Sequence, residues 1–113
     1  MKLPGAEHAI CDAAKVQDYL LSREHPVGRS KARFFPSLGF TRAEWPTLQS
    51  ALLKLGRDGE AEVAAASVFG QKYEIRGTIQ SPSGETSLVV TVWIILTGET
   101  LPRFVTAHPG NLR

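Results

Sequence analysis

The chain has a single cysteine, Cys11, so no disulfide can form within it and nothing in it calls for an oxidising compartment. The cytoplasm is the expected location. Long apolar runs are also lacking: the stretch from Leu88 to Leu96 is interrupted by Thr91 and falls well short of the roughly 20 residues a membrane-spanning helix needs. No membrane contact is expected. The first residues are broken by Pro4, Gly5, Glu7 and His8 before an apolar core can build up, so they are not expected to act as a secretory signal. There is no G-x-x-x-x-G-K-[ST], no G-x-G-x-x-G and no G-x-S-x-G, so phosphate-loop, dinucleotide and hydrolase-elbow chemistry have no footing. His8 and Cys11 lie three residues apart, but two ligands without a third do not hold zinc, and neither a metal nor a cofactor is expected. Repeats and low-complexity segments are absent. Strong net charge is missing too: 13 Lys and Arg against 11 Asp and Glu leave +2, too little by itself to argue for nucleic acid.

What remains is an ordinary soluble composition, 42% hydrophobic and 21% charged over 113 residues. A chain of this length forms one domain and buries roughly 65% of its unfolded surface. The charges are unevenly placed. Between Leu21 and Arg42 lie Arg23, Arg29, Lys31, Arg33 and Arg42 against Glu24 alone, whereas Asp58, Glu60 and Glu62 gather further on. A basic face is the natural outcome of that distribution.

The hydrophobic pattern changes period midway. Asp12 can cap a helix whose stripe is Ala13, Val16, Tyr19 and Leu20, ending near His25-Pro26 because the residue before proline avoids the helical region. Thr41-Arg42-Ala43-Glu44 reads as a capping box, with Phe40 and Trp45 as its hydrophobic staple. The helix it opens runs through Leu48, Ala51, Leu52 and Leu55 to Gly56, with Pro46 awkwardly placed in its first turns. Residues 57–70 show no clear period and are compatible with a loop carrying a short edge strand near Val63 to Val68. From Gln71 the chain alternates: Tyr73, Ile75 and Ile79 fall on one face, Lys72, Glu74 and Arg76 on the other. Ser81-Pro82-Ser83-Gly84 turns it into a Val- and Ile-rich strand from Leu88 to Leu96, and Thr97-Gly98-Glu99 leads to a third strand, Arg103 to His108, stopped by Pro109-Gly110. The expected architecture is α+β: two N-terminal helices (helical part about residues 10–56) packed on one face of an antiparallel three- to four-stranded meander sheet (about 63–108).

The ordered motifs HPVGRSKARFF, GQKYEIRG, VWII and LPRFVTAHP resemble those of a small bacterial family of unknown function, with the pattern H-P-x-G-x-x-K-A-R-x-F, G-x-x-Y, W-I and P-R-x-x-T. The resemblance spans nearly the whole chain. The layout is also similar to the ribonuclease toxins of the barnase, EndoU, tRNA-cleaving colicin and RelE superfamily, through Lys31 before the sheet and the ending Val105-Thr106-Ala107-His108-Pro109. That second resemblance implies a metal-independent ribonuclease-like toxin, with RNA as substrate and an antitoxin or immunity protein as partner.

Such cleavage lets the 2'-hydroxyl attack the adjacent phosphate, so it needs a base, an acid and cations to hold the charge. The types needed are supplied by His25, Lys31, Arg33, Arg103, Thr106 and His108 as catalytic candidates, with Arg29 and Tyr73 for substrate binding. Each has a plainer reading. His25 can simply end a helix against its last carbonyls, His108 can be a solvated turn residue, and Lys31 and Arg33 can be surface charges. Arg103 can pair with a carboxylate such as Glu74 across the sheet. The competing functional class is a non-catalytic module that binds protein or nucleic acid through the same basic face. Monomer and dimer are equally compatible with these residues.

Overall fold

The computed structural model describes residues 1–21 and 34–110. A four-stranded antiparallel sheet in the order β1-β2-β3-β4 forms its frame: β1 (Ala61–Ser67), β2 (Gly70–Gln80), β3 (Thr86–Leu96) and β4 (Arg103–Pro109). The open segment of the sequence thus holds a strand, β1, at one edge of the sheet. Its sequence, AEVAAAS, is mostly alanine and shows almost no burial beyond Ala61, which is why periodicity did not reveal it.

The helices depart from expectation. The first is a short α1 (Ala13–Lys15) that passes directly into a π-helical turn, Val16–Leu20, capped by Leu21. Its expected end at His25-Pro26 lies outside the described residues. The longer helix, α2 (Trp45–Asp58), starts later than the Thr41 box suggests, with Glu44 as N-cap and Pro46 in its first turn, where a missing N–H costs nothing. The Thr41 hydroxyl does accept from the Glu44 N–H at 3.2 Å, but it closes the turn that precedes the helix. Gly56 does not end α2; the helix continues to Asp58, because Gly56 is there for contact: a Cβ would meet the Trp93 ring at 2.7 Å.

One face of the sheet carries the core. Trp93, Thr91 and Val89 of β3 face Tyr73, Ile75 and Gly77 of β2 and Phe104 and Ala107 of β4, and the Leu55 side chain lies against Gly77. Leu48 and Leu52 of α2, Val16 and Leu20 of the π turn, and Phe35 and Phe40 complete it, all at most 2% exposed. The Trp93 and Phe104 rings meet edge to face at 5.4 Å. The polar groups in this core are satisfied: Trp93 Nε1 donates to Thr91 Oγ1 at 2.8 Å, and that hydroxyl donates to the Ile75 carbonyl at 3.2 Å. The N-terminal segment is fastened by Gln49, whose amide donates to the Cys11 carbonyl, and by Arg42, which bonds the Asp18 carboxylate at 2.7 Å. Among the described residues no helix is long and apolar enough to cross a membrane.

Candidate functional site

The other face of the sheet follows from the register. Val90, Val92 and Ile94 of β3 form an apolar floor along its middle, flanked by Arg76, Glu74 and Lys72 of β2 and by His108, Thr106 and Arg103 of β4, each directly across from its floor residue. With strands about 4.8 Å apart, the two polar rails run about 10 Å from one another. We call this the open face, since α2 packs on the opposite one.

The placement of Arg103 beside Thr106 and His108 depends on an irregularity. Strict alternation from Arg103 would turn Thr106 and His108 into the core. In β4, however, Phe104 pairs with Trp93 and Thr106 with the very next β3 residue, Val92, so Val105 is an extra residue. This bulge resets the alternation, and all three candidates reach one face. Arg103 is partly exposed and bonded to the Glu99 carboxylate at 3.1 Å, four residues back in the β3–β4 turn, instead of to Glu74. Ile10 fixes the backbone on the outer side of β4: its N–H donates to the Pro102 carbonyl and its carbonyl accepts from the Phe104 N–H.

His108 is half-buried and stands in the strand, not in a solvated turn, with Nδ1 3.2 Å from the Pro109 carbonyl oxygen. A carbonyl can only accept, so the neutral tautomer that makes this bond carries its proton on Nδ1 and presents Nε2 as an acceptor. Tyr73 is separated from these residues. It pairs with Trp93 on the helix-bearing face and packs against the core, so the sheet itself stands between it and His108. Its expected role in binding substrate at this site does not fit that position. His25, Arg29, Lys31 and Arg33 lie outside the described residues. The open face instead adds Lys72, Glu74 and Arg76, which the alternation of β2 had already set opposite Tyr73. Nothing in one strand's sequence tells which rail will lie beside it.

Arg76 also donates to the Gly110 carbonyl, linking β2 to the end of β4 over Val90. On the β1 side, Glu60, Glu62, Glu74, Arg76 and Val90 line a depression of about 160 Å³. Among the described residues no group of three His, Cys, Asp or Glu side chains is placed to hold a metal ion. Cys11 is buried, and burial, helped by the charge of Asp12, pushes its thiol up to about 12. At neutral pH it is a protonated packing group.

The comparisons with known proteins bear first on this architecture. One chain of a contact-dependent growth inhibition toxin–immunity protein complex from Klebsiella pneumoniae 342 superposes with a TM-score of 0.70 at 15% identity, covering 96% of this chain and 98% of that one. At that identity the likeness is one of fold. No curated protein matches the chain. A family model, described as a domain of unknown function (DUF6883), matches residues 2–111, nearly the whole length that carries the motifs. The chain belongs to that family, DUF6883.

Proposed function

We propose that this domain is a toxin-like, metal-independent ribonuclease whose site lies on the open face. The observation that carries the reading is the bulge in β4, which gathers Arg103, Thr106 and His108 beside an apolar floor and opposite Lys72 and Arg76. In this reading His108 exchanges a proton through Nε2, and Arg103 and Lys72, two rows further along the strands beyond Thr106, hold the phosphate charge. The apolar floor of Val92 and Ile94 offers a base a surface to lie on. The fold it shares with a chain of a growth-inhibition toxin–immunity complex supports the toxin class, and a cognate immunity protein is the partner that class implies. His25, Lys31 and Arg33 are proposed to serve the same site.

The test is induction in a bacterial host, following growth and total-RNA integrity for the wild type, His108→Ala, Arg103→Ala and Lys31→Ala. Growth arrest with fragmented RNA, relieved by the substitutions, supports the reading. Normal growth with intact RNA sinks it. That result would favour a binding module, a reading to which one observation lends weight: Glu60, Glu62 and Glu74 make part of the open face acidic.

A further inference from the structure

Among the described residues, the three most exposed large apolar side chains lie together. Val63 of β1 is 61% exposed, and Val68 and Phe69, in the turn joining β1 to β2, are 85% and 73% exposed. This tip is held firmly. Thr97 donates its backbone N–H to the Phe69 carbonyl and its hydroxyl to the Val68 carbonyl, both at 2.9 Å, and the Ser67 hydroxyl accepts from the Phe69 N–H. Gly70 then lets β2 pass so close to β3 that a Cβ would sit 2.3 Å from the Ile95 carbonyl oxygen. A pinned turn with two large apolar side chains in water is a cost to a monomer and an anchor to a partner.

Beyond Ala61, the strand beside the tip has no backbone partner on its outer side among the described residues. The Ala61 N–H points outward to the Met1 carbonyl, and alternation aims the Val63 N–H and C=O outward in the same way, with no partner for them among the described residues. From Val63 to Ser67 the edge bears no charge, no proline and no bulky polar side chain. A bulge between Val63 and Ala66 is filled from within, the Gln71 amide donating to the Ala64 carbonyl at 2.8 Å.

We propose that the outer edge of β1, together with the Val68–Phe69 tip, docks a protein partner by accepting one of its strands, and that this strand alternates cationic and apolar residues. The chemistry of β1 dictates that pattern. Glu62 pairs with Glu74 on the open face, with Glu60 nearby, whereas Ala61 and Val63 lie on the other face. An added strand therefore presents lysine or arginine on the side of the glutamates and apolar residues on the side of Val63. A second copy of this chain is the wrong occupant, because edge-to-edge pairing would extend the open face with a second set of the same glutamates. The surface is distinct from the Arg103–Thr106–His108 rail, from which β2 and β3 separate it, and stands whether or not that rail cleaves RNA.

The probe is a fluorescein-labelled, capped hexapeptide of alternating Lys and Val, compared with its Glu-and-Val counterpart. Binding is read by anisotropy and by amide hydrogen exchange on the intact chain. The expected result is binding of the lysine peptide at least tenfold tighter than the glutamate peptide, with slowed exchange at Val63. Phe69→Ser should weaken that binding at least tenfold, and Glu62→Lys should reverse the preference between the two peptides. Equal binding of both peptides, protection elsewhere than β1, or no binding at millimolar peptide overturns the proposal. So does concentration-dependent dimerisation of the wild type abolished by Val63→Lys, which would make the occupant a second copy.

Discussion

At the scale of single residues, the core's polar groups show how little tolerance the packing leaves. Thr91 is fully buried yet its hydroxyl serves two partners, accepting from Trp93 Nε1 and donating to the Ile75 carbonyl. Thr91→Val keeps the shape and removes both bonds, leaving the indole N–H unsatisfied beneath α2, so it should cost about 1–3 kcal/mol in urea denaturation. Thr91→Ser, which retains the hydroxyl, should recover much of that loss. Cys11 gives a second prediction, in pH. Its thiol titrates at about 12 in the fold against an ordinary 9.0, so the native state favours the protonated form. The stability this represents is fully present below pH 9 and is lost as pH rises from there toward 12. The contribution falls by about 1.4 kcal/mol per pH unit over that window. Denaturation midpoints at pH 8 and pH 10 should therefore differ less for Cys11→Ala than for the wild type. An equal difference would mean that the thiol is not shielded.

At the scale of elements, what was legible in the sequence follows what each element needs from its own residues. The strands β2, β3 and β4 were readable because period-two alternation, Val and Ile enrichment and the turns Ser81–Gly84 and Thr97–Glu99 are all local signals. The edge strand β1 was not, since alanine favours no strand and its position depends on pairing with Gln71 to Ile75. Nor was the β4 bulge: Val105 is an extra residue only relative to Trp93 and Val92, so a property shared between strands decided whether His108 faced core or groove. Tyr73, by contrast, follows its own alternation with Ile75 and lies on the core face. The contrast between β1 and β3 predicts how the sheet opens. β3 is paired on both sides and carries buried Val89, Thr91 and Trp93, while β1 has one neighbour and one buried residue, Ala61. Native-state hydrogen exchange should be slowest in β3, approaching the global unfolding free energy, and fastest in β1. Comparable rates in the two strands would show that the sheet opens only as a whole.

At the scale of the whole molecule, the sheet divides its two faces between different tasks. The helix-bearing face holds the large apolar side chains and the satisfied hydroxyl at its centre, and the open face holds partly exposed polar groups on a shallow apolar floor. Truncations on the two faces should therefore separate cleanly. Leu52→Ala in the core should destabilise by about 2–5 kcal/mol through lost burial and the cavity left behind. His108→Ala removes a side chain whose one bond among the described residues is to the neighbouring carbonyl, from a face that α2 does not cover, and should shift stability by no more than about 1 kcal/mol. If the open face cleaves RNA, the same His108→Ala should lower the single-turnover cleavage rate by about 10²–10⁴-fold, the contribution of one positioned proton donor or acceptor. Thermal melts and cleavage of total RNA by the same purified samples check both halves at once. A large stability loss in His108→Ala would make His108 a structural residue at the end of β4. Unchanged cleavage with unchanged stability would move the chemistry off this rail.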